Sequence, residues 1–154
     1  MSKRVITMGN WEGKPIEWLV LKIEESLLLC ISKEVVFSHC FNDNENKGSN
    51  YDTSDIRKYL NNEFWNKAFS ADEKKKIVNI KLPDSNNAKD NIFLLSKSEI
   101  EGLMTQQERI CGSWWYTRTS LNNKKVYDHK SDNTSFEGYL TDDDGIRPAM
   151  YIKE

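Results

Sequence analysis

Apolar residues recur at helical spacing only in the middle of this sequence; before and after, they alternate or stand in short blocks. That change of period limits the fold more than any single residue, because a helical repeat cannot keep one face buried as a strand. After Ser54, residues Ile56, Tyr59, Leu60, Phe64 and Ala68 follow at steps that mark one face of an amphipathic helix. Ser54 is a fitting N-cap, and Asp55 complements the positive helix end. Ser70-Ala71-Asp72-Glu73 has the form of a capping box and predicts a second, shorter helix toward Ile77. Ser96-Lys97-Ser98-Glu99 is another, opening a helix that buries Ile100, Leu103 and Met104.

Strands are expected on both sides of these helices. Residues 5–8 form one, closed by a turn signal at Gly9-Asn10; residues 16–23 and 27–31 form a hairpin broken at 24–26. A further extended piece runs through Val35, Val36 and Phe37, and residues 42–52 are a polar loop. After a loop over 83–89, residues 92–95 read as a short buried strand. Extended segments follow at 113–119, 124–127, 136–140 and 146–152. Strands, then helices, then strands argue for one α+β domain over residues 1–154 rather than alternating β-α-β units.

Composition narrows the function classes. Eleven per cent aromatic residues, five of them Trp, speak against disorder. With 22 basic and 24 acidic residues the net charge of −2 gives no electrostatic case for nucleic acid or an anionic membrane surface. Lys74-Lys75-Lys76 follows Asp72 and Glu73 and reads as a solvated helix end. The odd count of three cysteines, Cys30, Cys40 and Cys111, is no disulfide framework. The first residues lack the apolar stretch of a signal peptide, and no window approaches the ~20 apolar residues of a membrane span. A cytoplasmic location is expected, and the many Lys and Asn beside few Arg suggest an AT-rich bacterial source.

Four strings, taken in order, resemble a widespread bacterial and phage domain family of unknown function. They are Ser54-Asp55-Ile56-Arg57-Lys58-Tyr59-Leu60-Asn61, Asp90-Asn91-Ile92-Phe93-Leu94-Leu95-Ser96 with Glu99, Trp115-Tyr116-Thr117-Arg118-Thr119, and Gly145-Ile146-Arg147-Pro148-Ala149. The resemblance runs from about Trp18 to the C-terminus. The family is distantly similar to C-type-lectin-like domains and to the formylglycine-generating, sulfatase-modifying enzymes. What this implies is a fold: a C-type-lectin-like mixed or antiparallel sheet flanked by two or three helices with long loops. It implies no activity.

Candidates for chemistry are few. The formylglycine-generating enzymes work through paired cysteines, whereas Cys111 stands alone beside Gly112, with only His39 and His129 available as a base. Cys30, His39, Cys40, Cys111 and His129 lack the spacing of a zinc site. Asp142-Asp143-Asp144 in a turn could offer oxygen ligands to calcium, against the simpler reading of a solvated acidic loop. Arg118 and Arg147 stand in apolar strands, where a guanidinium persists only when paired; Glu99 and Asp90 are plausible partners. Their alternative role is to anchor an anionic or sugar ligand.

Trp114 and Tyr116 face one side of their strand and Trp115 the other, so one side could be a stacking platform with Tyr127, Phe136 and Tyr139. Core packing of both faces is the plainer alternative. The leading expectation is a non-enzymatic binding module, its ligand a carbohydrate or a protein, with Trp115, Tyr116, Arg118, Tyr127 and Arg147 beside loops over residues 122–144. The alternatives are an enzyme related to the formylglycine-generating group, using Cys111 or a metal, and a structural or phage-associated interaction module.

Overall fold

Three strands open the chain as an antiparallel meander: β1 (Val5–Trp11), β2 (Lys14–Glu24) and β3 (Leu27–Ser32). The β2–β3 reversal uses Glu25 and Ser26, both at positive φ (49° and 69°), the hand that suits a two-residue hairpin. The first reversal is not at Gly9-Asn10. There the strand continues through an irregularity between Thr7 and Asn10, with Gly9 at φ 79° so close to Phe69 that a Cβ would stand 2.8 Å from its Cε1. The turn comes at Glu12 and Gly13 instead, at φ 49° and 85°.

This computed structural model describes residues 2–86, 89–122, 125–129 and 135–154, with the backbone alone for 125–129, 135 and 136. After a short strand β4 (Phe37–His39), the polar loop winds through 3-10 turns at Glu45–Lys47 and Tyr51–Thr53, capped by the side chains of Asn44 and Asn50. The long helix begins where expected, with Ser54 Oγ accepting from the Arg57 amide. It runs as α1 (Asp55–Tyr59), a π-helical turn (Leu60–Phe64) and α2 (Trp65–Ala68). Ile56, Leu60, Phe64 and Ala68 are buried on its inner face, with Tyr59 half-buried beside them.

The capping box of Ser70 and Glu73 opens α3 (Ala71–Lys76), which passes directly into β5 (Ile77–Val78). The strands β6 (Ile80–Lys81) and β7 (Lys89–Asp90) form a small antiparallel ribbon. Residues 92–95 are buried as expected but are not a strand: only Phe93 bridges, to Ala149. A second capping box starts α4 (Lys97–Leu103), and a third, Thr105 with Glu108, starts α5 (Gln106–Arg109).

The remaining strands are β8 (Trp115–Asn122), β9 (Lys125–His129), β10 (Ser135–Tyr139), β11 (Asp144–Ile146) and β12 (Ala149–Lys153). They complete two five-stranded sheets, ordered β1-β2-β3-β12-β5 and β10-β9-β8-β11-β4. All pairings are antiparallel except β8 with β11. The domain is therefore α+β, as expected, and its mostly antiparallel pairings are divided between two five-stranded sheets. The extended segment 146–152 is likewise split: Arg147 and Pro148 interrupt it, and its two parts belong to different sheets. One buried cluster draws on both sheets and on the long helix, with Trp18, Phe41, Phe64, Phe93 and Trp115 among its largest members. Among the described residues no helix is long and apolar enough to cross a membrane.

Candidate functional site

The four resemblance strings turn out to be joined to one another. Arg57 Nε donates to Asp90 Oδ1 at 2.7 Å, tying the first string to the second. Asn61 reinforces that link: its Oδ1 accepts from the Asn91 and Ile92 amides and its Nδ2 donates to the Ile92 carbonyl. Arg118 Nη1 donates to Glu99 Oε1 at 2.6 Å and to the Leu94 carbonyl at 2.7 Å, tying the second to the third. Gly145 pairs with Trp115 across the parallel β8–β11 contact, and Arg147 stands over the Trp115 ring at 4.7 Å. Ala149 closes the circuit on Phe93.

The expected partners divide accordingly. Glu99 does hold Arg118, while Asp90 serves Arg57. Asp84 completes the Arg118 cage, its two carboxylate oxygens 3.0 and 3.2 Å from Nε. Burial works to lower the Arg118 pKa, but Glu99 and Asp84 outweigh it and hold the guanidinium above its ordinary value. Arg147 is different. Its side chain reaches the carbonyls of Ser32, Lys33 and Glu108 at 3.2, 2.9 and 2.8 Å. Among the described residues no carboxylate pairs with it, and burial lowers its pKa.

Of the residues expected to meet a ligand, Trp115 and Arg147 are brought together in the interior. Trp115 and Tyr116 are each 1% exposed. The Tyr116 hydroxyl is shared between the carbonyls of Tyr139 and Asp142, fastening the turn after β10. Tyr127 lies on β9, and its side chain, like those of Phe136 and His129, falls outside the described residues. Tyr139 is largely exposed. Residues 122–144, expected as binding loops, contribute the strands β9 and β10.

The other candidates stand apart. Asp142 and Asp143 are exposed and Asp144 half-exposed; burial, then Asp144 and Asp143, raise the Asp142 pKa. Among the described residues no group of three or more His, Cys, Asp and Glu side chains is placed to hold a metal ion. Cys111 is half-buried, and burial pushes its thiol up despite the opposing Arg147 charge, contrary to what a nucleophilic thiol requires. The His39 ring packs at a tilt against Tyr59, centroids 4.5 Å apart, with Nδ1 2.6 Å from the Cys40 carbonyl. The Cys30 thiol, fully buried in β3, is pushed up to about 12 by burial.

One concavity is announced by no local pattern. A cleft of about 660 Å³ opens between the 3-10 loop at 45–52, the turn at 82–85 and the β8 stretch at 118–120. It has the size of a small-molecule site. Arg118 forms part of its wall although its side chain is 2% exposed, while Asp84, at 54%, stands at the solvent side of the same ion pair. Ser49 Oγ lies 2.6 Å from Ser120 Oγ, pinning the loop to β8. Asp52 Oδ2 accepts from the Asn86 amide at 3.0 Å and pins it to the turn. Behind the lining residue Tyr51, burial first and the Asp90 charge second raise the phenol pKa. The Tyr51 hydroxyl and Asp90 Oδ2 are buried without a hydrogen bond of good geometry.

Compared with known proteins, residues 25–154 match the model of one family, described as a domain of unknown function, DUF6273. No curated protein and no solved structure matches the chain. The matched span contains all four joined strings and every lining segment of the cleft.

Proposed function

The chain belongs to the DUF6273 family, and from that premise we propose that it is a non-enzymatic binding module whose ligand sits in the cleft above Arg118. The family description assigns no activity, so the reading rests on the site. The observation that carries it is the cleft itself: about 660 Å³, walled by charged, amide and hydroxyl side chains, with Ser49 tied to Ser120, Arg118 to Asp84 and Asp52 to the Asn86 amide. Such pre-set polar groups lower the ordering cost of binding. A small molecule suits this concavity better than a flat protein partner does. The likeness to C-type lectins enters as an analogy of design, loops carried on a rigid frame.

The enzyme alternative leans on Cys111, and a thiol made harder to ionise supports it poorly. A soluble fragment library titrated into isotope-labelled protein tests the proposal. Amide shifts should concentrate at Ser49, Asp52, Ser85 and Ser120. Shifts concentrated on another face, or none at millimolar fragment, would overturn it.

A further inference from the structure

The reversal between β2 and β3 is made by residues poorly suited to it. Glu25 and Ser26 both hold left-handed φ, 49° and 69°, where asparagine and glycine are at home and a larger side chain crowds the following carbonyl. The earlier reversal of the same meander places Gly13 at its second position. Extending residues 25 and 26 releases that strain. The register shows where such a link would lead: β2 pairs with β3 as Lys22↔Leu29, Ile23↔Leu28 and Glu24↔Leu27. Continued without a shift between two copies of the chain, this ladder sets Glu25 of one opposite Ser26 of the other, about a two-fold axis. No two carboxylates then stand directly opposite each other. Ser26 already bonds as part of β3 on its other side, its carbonyl accepting the Glu154 amide at 2.9 Å, one pair beyond Lys153↔Leu27.

The β3 edge cannot stand without cover. Leu28, Leu29, Cys30 and Ile31 are at most 2% exposed, and Trp18 of β2 is fully buried. The β1–β2 hairpin must therefore stay docked on a β3, either its own or that of a second copy. Its ties to the rest of the domain include Trp18 against Phe69, Trp11 against Phe64 and the Gly9 amide to Glu73. These are the same contacts in either case, so exchange costs none of them. The family match begins at residue 25, so the movable unit and the matched span part at this same reversal.

We propose that two copies of this chain exchange their β1–β2 hairpins, with residues 25 and 26 as the extended hinge, and so form a closed two-fold dimer. None of the segments lining the cleft belongs to the hairpin, so each half of the dimer keeps one cleft whole.

A covalent trap tests it, because Val20 lies opposite Cys30 across β2 and β3. The full chain carrying Val20→Cys, with Cys40→Ser and Cys111→Ser to leave Cys30 as the one native thiol, is unfolded in urea and allowed to oxidise as it refolds. In a closed monomer the new disulfide is internal; in the exchanged dimer it joins two chains, which then run together on a non-reducing denaturing gel. The linked species should appear on refolding at about 1 mM chain and fade at about 1 μM. Adding Glu25→Asn and Ser26→Gly, which suit the tight turn, should reduce it at least about tenfold. Only internal bonds at both concentrations, or a linked species indifferent to the hinge substitutions, would overturn the proposal. Sedimentation of the unmodified chain gives a second reading that needs no disulfide. A dimer formed on concentrated refolding should outlast dilution by hours, since separating it means pulling a hairpin from each core. A chain that is monomeric throughout, or a dimer that falls apart on mixing, would contradict exchange.

Discussion

The Arg147 guanidinium stands over the Trp115 ring, 4.7 Å from its centroid, and the two side chains donate to consecutive carbonyls. Arg147 Nη1 reaches the Glu108 carbonyl at 2.8 Å, and Trp115 Nε1 the Arg109 carbonyl at 2.9 Å. Together they bind the end of α5 to the place where the chain leaves one sheet for the other. With Ser32 and Lys33 also held, a single cation satisfies carbonyls from two distant segments.

Arg147→Ala should therefore destabilise the domain by about 3 kcal/mol, through a buried void and orphaned carbonyls. Arg147→Lys should recover little of this, since an ammonium lacks the planar fork that reaches three acceptors. Urea unfolding of both variants checks the expectation; full recovery by lysine would contradict it.

Arg118 calls for an asymmetric result. Its loss strands the partly buried Glu99 and the Leu94 carbonyl, so Arg118→Ala should cost about 3–5 kcal/mol. Asp84→Asn removes only the half-exposed partner and should cost about 1 kcal/mol or less. Equal losses in chemical denaturation would show that Asp84, not Glu99, holds the arginine.

Which parts of this arrangement a single sequence discloses depends on how local their cause is. The N-caps at Ser54, Ser70 and Ser96 were readable because donor and acceptor lie three residues apart. The same pattern at Thr105 and Glu108 is equally present but lacks a following apolar run, so nothing local marks the helix it opens. The break at Arg147 and Pro148 is silent because apolar residues stand on both sides of it; only the pairing of each side with a different sheet reveals it. The cleft is silent for a related reason. Its walls come from three stretches of polar sequence that acquire a common interior only when the loop at Ser49 is pinned to Ser120.

Two glycines should respond in opposite directions. A Cβ on Gly145 would stand 2.6 Å from the Trp114 carbonyl oxygen and 2.8 Å from Val35 Cγ2. Gly145→Ala should lower stability by about 2 kcal/mol or more. A Cβ on Gly102, within α4, meets nothing within 4 Å, so Gly102→Ala should raise stability by up to about 1 kcal/mol. Thermal melts of the pair would settle both.

Tyr51→Phe should be tolerated, changing stability by no more than about 1 kcal/mol, because the phenol it removes is buried without a well-formed hydrogen bond. Burial and the Asp90 charge already keep that phenol from ionising. A loss well above that figure in urea unfolding would reveal a partner for the hydroxyl.

Acid should weaken the domain partly through Glu108. Burial by itself would raise this carboxyl, but the Lys3 ammonium at 2.6 Å and the Thr105 amide at 2.8 Å outweigh it and hold the group below 4.5. The folded state then binds this proton less readily than the unfolded chain, so the contribution is present above about pH 4.5 and is lost as pH falls through the lowered value. Glu108→Gln should flatten the fall in urea midpoint between about pH 5 and 3. An unchanged slope would assign the acid sensitivity to other carboxylates.

The strand Ala149–Lys153 lies inside its sheet, between Leu27–Ser32 and Ile77–Val78. Its neighbours are made long before it during synthesis. Until those five residues leave the ribosome, the early meander has one edge open and Phe93 has no bridge. The nascent domain must wait in that unfinished state, with an exposed apolar edge that other chains could pair with. Any shortened version that stops at Pro148 would keep that vulnerability permanently.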